Sequence, residues 1–252
     1  MRFAAGAGIV ALLSRRAVAY GVAMTHDDDD ALSLDPDFAA RLQRDDRQPP
    51  CQLYLISPPR IEATFIDALT AAFDGGPVAA FQLRLKDVAE DEIARLAEPL
   101  QRLCAEREIA FIINDSIALA KRLGADGVHL GQGDGDPREA RTILGAEAQI
   151  GVTCNDSRHL AMEAGEAGAD YVAFGAFFPT TTKETVHHAE PVLLSWWSSV
   201  FELPCVAIGG ITADNGGALV AAGADFLAVS SAVWGHPDGP GAGVAAFKRV
   251  LG

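Results

Sequence analysis

Residues 110–130, AFIINDSIALAKRLGADGVHL, contain one complete repeat of the pattern that decides the fold. The run Ala110–Asn114 is apolar and rich in isoleucine and aromatic residues, which predicts a buried strand. A segment of helical period follows at Ser116–Leu123 and stops at Gly124, where glycine can adopt the left-handed conformation that ends helices. A second apolar run then occupies Gly127–Leu130. The stretch therefore predicts two parallel strands joined by a helix.

The same unit recurs from Cys51 onward, and the turn sequence Gly-Ala-Asp appears three times, starting at Gly124, Gly168 and Gly223. The predicted strands are Gln52–Ile56, Ala80–Leu85, Ala110–Asn114, Gly127–Leu130, Gln149–Thr153, Tyr171–Ala176, Cys205–Ile208 and Phe226–Ser230. The predicted helices are Ile61–Phe73, Asp91–Arg107, Ser116–Leu123, Pro137–Leu144, Ser157–Ala167, Pro191–Phe201, Ala213–Ala222 and Val244–Leu251. Eight parallel strands with helices outside close as a TIM (β/α)8 barrel, an α/β fold whose active site lies at the carboxyl ends of the strands.

The composition is that of one large domain with an acidic surface. The chain has 252 residues, 49% of them hydrophobic, and α/β barrels of about 250 residues commonly form a single domain. The net charge of −14 disfavours nucleic acids and anionic membranes as partners, because both require a basic face on the protein. No apolar run reaches the length of a transmembrane helix. We therefore expect small molecules as partners.

The cysteines and the amino-terminal residues bear on location and domain boundaries. The four cysteines form no C-x-x-C pair, so neither a zinc site nor a disulfide framework is predicted, and a cytoplasmic location suits them. They are Cys51, Cys104, Cys154 and Cys205. The first 23 residues contain a short apolar run that could be read as a signal peptide, although Arg15 and Arg16 end it early. Residues 24–49 mix charge and proline, so we expect residues 1–49 to be a flexible extension before a catalytic domain at residues 50–252. Met24 opens a distinct acidic segment and is the expected true start.

The second predicted strand carries unusual polar residues. The two-residue period of a strand places Gln82, Arg84 and Lys86 on one face, and Leu83 and Leu85 on the other. The apolar face must meet the helices, so the polar face is expected to point into the barrel. Two cations there require an anion or a carboxylate as a partner. A bound anionic ligand is one interpretation; a solvated edge strand or an internal ion pair is the other.

Two carboxylates follow neighbouring strands. Asp115 comes directly after the third strand, and Asp134 closes the loop after the fourth. Mg²⁺ is commonly held by one or two carboxylates together with substrate phosphates and water, which this pair fits. Taken singly, each aspartate could equally cap a helix or form a turn. His129, in the fourth strand, could face inward, and a structural role is the simpler interpretation for it.

The later loops contain groups that suit phosphate. The loop after the sixth strand carries three hydroxyls and a cation at Thr180–Lys183, although threonine-rich loops are common. Gly210 follows the seventh strand, and Ser230 and Ser231 end the eighth, where TIM barrels often bind a phosphate group. The rim thus offers two anion sites, which predicts two phosphorylated substrates. His187 and His188 have no acidic or cysteine companion at the spacing of metal ligands, which favours a solvated loop.

Five longer motifs make the chain similar to the thiamine-phosphate synthase family. They are QLRLK at Gln82–Lys86, IINDSIALA at Ile112–Ala120, ADGVHLGQGD at Ala125–Asp134, FPTTTK at Phe178–Lys183 and AIGGIT at Ala207–Thr212. The resemblance extends from about Gln52 to Val233, with the motifs in the family's order and spacing. AIGGI alone is shared by many phosphate-binding barrels, but the five motifs together are highly specific.

The resemblance implies a transferase that joins 4-amino-5-hydroxymethyl-2-methylpyrimidine pyrophosphate to a thiazole phosphate and releases pyrophosphate. It implies Mg²⁺ as the cofactor, held by Asp115 and Asp134. The residues expected to hold the pyrimidine pyrophosphate are Gln82, Leu83, Arg84, Leu85, Lys86, Asn114, Thr153 and Lys183, of which Arg84, Lys86, Thr153 and Lys183 are the expected catalytic groups. Those expected to hold the thiazole phosphate are Thr180, Thr181, Thr182, Gly210, Ser230 and Ser231. The family mechanism is dissociative, with pyrophosphate leaving before the thiazole nitrogen attacks.

Three positions depart from the family pattern. Thr153 stands where the family commonly has serine, and Ala176 replaces the proline of the usual GP-x-F-P-T pattern. The segment 184–197 lacks the glycine-containing approach to the sixth helix. These departures bear on rate and thiazole selectivity more than on the class of reaction.

Two other functions compete with this one. A thiazole tautomerase shares the barrel but needs no pyrophosphate site, and retention of Arg84, Lys86 and the aspartate pair speaks against it. A non-catalytic protein that binds thiamine precursors would keep the phosphate loops without needing two carboxylates. The sequence is compatible with a homo-oligomer.

Overall fold

A computed structural model describes residues 49–180 and 187–251 of the chain. The predicted extension up to residue 48, and the predicted ligand-binding residues Thr181, Thr182 and Lys183, lie outside the described residues. Eight parallel strands pair in chain order and close into a barrel, which confirms the predicted TIM-barrel fold. They are β1 (Gln52–Ile56), β2 (Ala80–Leu83), β3 (Ala110–Asn114), β4 (Gly127–Leu130), β5 (Gln149–Asn155), β6 (Tyr171–Phe174), β7 (Cys205–Ile208) and β8 (Phe226–Val229).

Helices surround the barrel in the order expected of repeated strand–helix units. The described residues contain α1 (Phe65–Gly75), α2 (Glu90–Glu106), α3 (Ile117–Leu123), α4 (Pro137–Leu144), α5 (Arg158–Glu166), α6 (Pro191–Val200), α7 (Gly216–Ala221), α8 (Ser231–Trp234), α9 (Pro240–Ala246) and α10 (Lys248–Leu251). None of these helices has the length and apolar character needed to cross a membrane.

The carboxyl-terminal region corrects one prediction. A single helix was predicted at Val244–Leu251, whereas α8, α9 and α10 follow β8 as three short helices. Gly239 adopts a positive φ of 89°, and Pro240 fits the first turn of a new helix, so α9 begins earlier than predicted.

Strand β2 ends at Leu83 and not at Leu85 as predicted, because the hydroxyl of Ser57 bonds the backbone N–H and carbonyl of Arg84. Ser57, in the loop after β1, donates from its hydroxyl to the carbonyl of Arg84 (3.2 Å) and accepts from the Arg84 N–H (2.9 Å). The Lys86 N–H donates to the carbonyl of Pro59 (3.1 Å). The chain therefore leaves the sheet after Leu83 and follows the loop after β1.

The alternating strand residues separate two apolar layers. One cluster packs inside the barrel: Tyr54, Ile56, Ala80, Ala110, Ile112, Tyr171, Ala173, Val206, Phe226 and Ala228. The larger cluster lies between the sheet and the helices and includes Phe81, Phe111 and Trp197. A side chain at Gly151 would lie 2.1 Å from the ring of Tyr171, so glycine at this inward position leaves room for the tyrosine.

The repeated Gly-Ala-Asp turn joins adjacent strands at the amino-terminal end of the barrel. In each copy the aspartate N–H donates to the carbonyl of a residue in the preceding strand, and the carboxylate accepts from the N–H of that same residue. The pairs are Phe111 with Asp126, Ile150 with Asp170, and Cys205 with Asp225. The glycines have φ values of 62°, 89° and 101°, as the sequence predicts. This turn therefore fixes the spacing of three strand pairs.

We expect the Asp126→Ala variant to lose about 1–3 kcal/mol of unfolding free energy, because the buried N–H of Phe111 would lose its acceptor at 2.7 Å. Asp126→Asn keeps a side-chain acceptor and should lose less. Urea unfolding of both variants measures the difference, with the exposed Asp238→Ala as a control. A loss in Asp126→Ala no larger than in Asp238→Ala would contradict this role.

Candidate active site

The two predicted metal carboxylates lie in one cleft at the carboxyl rim of the barrel. Asp115 follows β3 and Asp134 follows β4, and both line a cleft of about 460 Å³ between the starts of α3 and α4. Asp115 has a φ of 65°, a left-handed conformation that aspartate and asparagine tolerate better than most residues. Its N–H donates to the carbonyl of His129 (2.8 Å), which fixes the Asp115 backbone beside β4.

Asp134 also forms a turn, as the alternative interpretation predicted. Its Oδ2 accepts from the N–H of Gly131 at 3.0 Å, and a side chain at Gly131 would lie 2.5 Å from the same oxygen. A carboxylate offers about four lone-pair positions, so one accepted hydrogen bond does not prevent metal binding. Within residues 49–180 and 187–251, no group of three or more His, Cys, Asp or Glu side chains is arranged to hold a metal. The donors present suit a sparse two-carboxylate shell, which is typical of Mg²⁺.

The polar residues of the QLRLK segment differ in exposure, and of the three only Gln82 belongs to β2. Gln82 is buried inside the barrel, Arg84 is half-buried, and Lys86 is exposed beyond the end of β2. Leu83 belongs to the apolar layer between sheet and helices, and Leu85 packs against that layer. A ligand at the rim could therefore contact the backbone groups of the two leucines but not their side chains.

Asn114 and His129 lie at inward-facing positions of β3 and β4. Asn114 ends β3 in the same alternation as Ala110 and Ile112, and it is half-buried. His129 is buried, and its Nε2 lies 2.8 Å from the hydroxyl of Thr153. The inward orientation predicted for His129 is confirmed.

Two tyrosines inside the barrel were missed by the sequence analysis. Tyr54 and Tyr171 lie on β1 and β6, and their hydroxyls are 3.0 Å apart. Each tyrosine follows the alternation of its strand, but in apolar runs such as QLYLI and YVAF it is easily taken for a core residue. The signal that could have found them is the alternation itself, which places both on the inward face.

The loops after β6 and β7 pack tightly on each other. The N–H groups of Phe177 and Phe178 donate to the carbonyls of Ile208 (3.2 Å) and Gly209 (3.1 Å). Gly210 has a φ of 62°, and a side chain there would lie 2.4 Å from the carbonyl oxygen of Pro179. The glycine is therefore needed for loop packing as well as for any approach of a ligand. Thr180 comes directly after Pro179, so the threonine-rich segment begins next to Gly210.

The loop after β8 occupies the position of the common phosphate site of TIM barrels. Ser230 precedes the short helix α8, and Ser231 is its first residue. The hydroxyl of Ser230 donates to the carbonyl of Ser57 (3.3 Å), and the indole N–H of Trp234 donates to the carbonyl of Ile56 (2.6 Å). These bonds hold the start of α8 against the end of β1, facing the rim.

One histidine has a partner that its sequence neighbours do not show. Nδ1 of His187 lies 3.0 Å from Oδ1 of Asp156, which belongs to the loop between β5 and α5. Both side chains are close to half exposed, which agrees with the prediction that His187 lies in a solvated loop. Asp156 is an acidic partner of His187 that the sequence analysis did not predict. The partner was missed because it comes from an adjacent strand–helix unit.

Three of the four cysteines are not activated nucleophiles. All four are buried, and burial raises the pKa of Cys104, Cys154 and Cys205, that of Cys154 to about 12. The thiolate, which is the reactive form, is therefore strongly disfavoured at neutral pH.

Comparison with known proteins identifies relatives of this chain. The family model for thiamine monophosphate synthase matches residues 53–233. A thiamine-phosphate synthase of Erythrobacter litoralis is 62% identical over 206 residues, which cover 80% of this chain and 96% of that protein. A second, of Rhodospirillum centenum, is 58% identical and covers 80% and 98%.

A solved structure shows the same likeness. The thiamine phosphate pyrophosphorylase of Pyrococcus furiosus is 30% identical, with a TM-score of 0.71, covering 79% of this chain and 95% of that one. A 3-hexulose-6-phosphate synthase at 15% identity and a TM-score of 0.60 shares the fold alone. The family model and the two relatives cover nearly the whole barrel, and the chain belongs to the thiamine monophosphate synthase family.

Proposed function

We propose that this chain joins 4-amino-5-hydroxymethyl-2-methylpyrimidine pyrophosphate to a thiazole phosphate, forming thiamine phosphate and releasing pyrophosphate. As a member of its family it is a transferase of thiamine biosynthesis. The observation that carries the detailed proposal is that Asp115 and Asp134 line one cleft. The cleft lies at the carboxyl rim of the barrel, where Arg84 and Lys86 follow the end of β2. Such a rim suits an anionic leaving group.

Asp115 and Asp134 would hold Mg²⁺, and their two exposed carboxylates are the hard oxygen donors that this ion prefers. When bound, the ion would supply positive charge that stabilises the leaving pyrophosphate. Arg84 and Lys86 add fixed cations at the same rim, and Lys183 is proposed to join them. Because burial raises the pKa of Cys104, Cys154 and Cys205, these thiols are poor nucleophiles, and we assign the rate enhancement to charge stabilisation and positioning.

The remaining residues position the two substrates. Gln82, Asn114 and Thr153 face the barrel axis and are proposed to hold the pyrimidine ring. The thiazole phosphate is proposed to bind the residues of the later loops, namely Thr180, Thr181, Thr182, Gly210, Ser230 and Ser231. The buried cysteines suit a cytoplasmic location, which we propose for the enzyme.

Measurement of pyrophosphate release with and without thiazole phosphate tests the proposed function. The wild-type chain with Mg²⁺ and both substrates should release pyrophosphate and form thiamine phosphate in equal amounts. A chain that isomerises the thiazole but releases no pyrophosphate would be a tautomerase instead. A chain that binds the substrates without converting either would be a binding protein.

A further inference from the structure

The Asp115 carboxylate belongs to a tight turn that other residues must hold in shape. The N–H of Ser116 donates to the carbonyl of Asn114 (2.8 Å), so these three consecutive residues form a γ-turn, and Asp115 at its centre has a φ of 65°. A γ-turn with a positive φ at its centre is rare and strained. Such a backbone persists only where its surroundings impose it. The residues that anchor this turn therefore bear on where the carboxylate lies.

Ser116 is anchored by the helix that follows it and by a carboxylate from the preceding strand–helix unit. Its hydroxyl accepts from the N–H of Leu119 (3.1 Å), which caps the start of α3, and donates to Oε1 of Glu90 (2.9 Å). A serine that caps a helix needs only its oxygen for the cap. The bond to Glu90 is therefore a separate interaction, and it joins the Asp115 turn to the first residue of α2.

A second contact keeps Glu90 in place beside α3. The guanidinium of Arg122, in the last turn of α3, donates to Oδ1 of Asp91 (3.0 Å) and to the backbone carbonyl of Glu90 (3.2 Å). The first turn of α2 thus contacts α3 near both of its ends. Only residues 87–89 separate Glu90 from Lys86, which is proposed to bind pyrophosphate. Glu90 therefore joins the loop that carries Lys86 to the turn that carries Asp115.

We propose that Glu90 is a positioning residue for Mg²⁺ binding, because it holds Ser116 and thereby the adjacent Asp115 turn. The inference rests on the proposed function, in which Asp115 helps to hold Mg²⁺ against pyrophosphate. Mg²⁺ requires near-ideal octahedral geometry, so a small shift of a carboxylate weakens its binding. Residues that orient metal ligands typically change metal affinity about 10–100-fold when they are removed. The bond between Glu90 and Ser116 is exposed to water, so we expect a smaller effect here.

The test is calorimetric titration of the full chain with inorganic pyrophosphate, either without Mg²⁺ or with Mg²⁺ in excess, so that the ligand is the Mg²⁺–pyrophosphate complex. Glu90→Ala removes the acceptor for Ser116 and should weaken binding of the complex about 5-fold, the net effect of one hydrogen bond. Binding of pyrophosphate without Mg²⁺ should stay unchanged, because the contact with Ser116 acts on the metal carboxylate. Glu90→Gln keeps an oxygen acceptor and should retain most of the affinity.

Glu92→Ala is the matched control for charge and for position in the helix. Glu92 lies in the same first turn of α2 and pairs with Arg95 of its own helix (2.6 Å), so its removal alters the net charge and the interaction with the helix dipole in the same way. It should leave both affinities unchanged. Ser116→Ala tests the route of the effect, because once the hydroxyl is gone, adding Glu90→Ala should cause no further loss.

The outcomes separate this inference from the proposed function. A loss confined to the Mg²⁺–pyrophosphate complex, and absent in the Ser116→Ala background, supports the inference. Wild-type affinity of Glu90→Ala for the complex overturns it, and so does a loss that adds to that of Ser116→Ala. An equal loss with and without Mg²⁺, which a merely structural role would give, also overturns it.

The release assay decides the proposed function independently. A wild type that forms thiamine phosphate, while Glu90→Ala binds the complex normally, leaves the proposed function standing without the inference. A wild type that forms no thiamine phosphate removes the proposed function, and the inference falls with it.

Discussion

Replacing Asp115 or Asp134 by asparagine is expected to lower turnover about 100-fold or more, corresponding to a loss of about 3 kcal/mol of transition-state stabilisation. Asparagine is the informative substitution because it removes the charge and little else. At position 115 it tolerates the φ of 65°, and at position 134 its Oδ1 can still accept from Gly131. Removing Mg²⁺ with EDTA should abolish turnover in the wild type for the same reason.

The control for this prediction is Asp136→Asn. Asp136 is an exposed carboxylate in the same loop and caps α4 by accepting from the N–H of Arg138 at 2.7 Å, a role that asparagine performs equally well. Steady-state rates at saturating substrates, with Mg²⁺ titrated, should separate Asp136→Asn from the two site variants. EDTA-treated protein with full turnover would show that the metal assignment is wrong.

The fold could be predicted because two independent signals agree along the chain. Short apolar runs such as AFIIN and the helical period of the segments that follow them indicate the element order, and the recurring Gly-Ala-Asp turn indicates where three of the helices end. The ends of strands were less predictable where side chains compete for backbone groups. Ser57 ends β2 by bonding both backbone groups of Arg84, and that contact joins residues from different units of the barrel.

The site was predictable where a polar residue interrupts an apolar alternation. Gln82 and His129 stand out for this reason, and both face inward in the structure. Tyr54 and Tyr171 do not stand out, because a tyrosine in an apolar strand has no contrast with its neighbours. Their hydroxyls are close because the closed barrel brings β1 and β6 to opposite sides of one interior. The distance between the two hydroxyls cannot be read from the separation of the residues in the sequence.

Binding of the two substrates is expected to respond separately to changes on opposite parts of the rim. Lys86→Ala should weaken binding of a non-reacting pyrimidine pyrophosphate analogue about 10-fold or more, because a charge-assisted hydrogen bond contributes about 1.5–3 kcal/mol. Affinity for the thiazole phosphate should stay nearly unchanged. The Lys86 side chain is exposed and its backbone N–H remains bonded to Pro59, so the substitution should not disturb the fold.

Ser231→Phe should give the opposite result. Ser231 is exposed at the first position of α8, where a bulky ring would cover the backbone N–H groups proposed to receive the monophosphate. Ser231→Ala is the matched control, since it removes the hydroxyl without blocking the backbone. Calorimetric titration of each variant with each ligand, in the presence of Mg²⁺, measures both effects. Equal losses for both ligands in either variant would mean that the anions share one site, and a wild type that binds only the thiazole phosphate would favour a tautomerase.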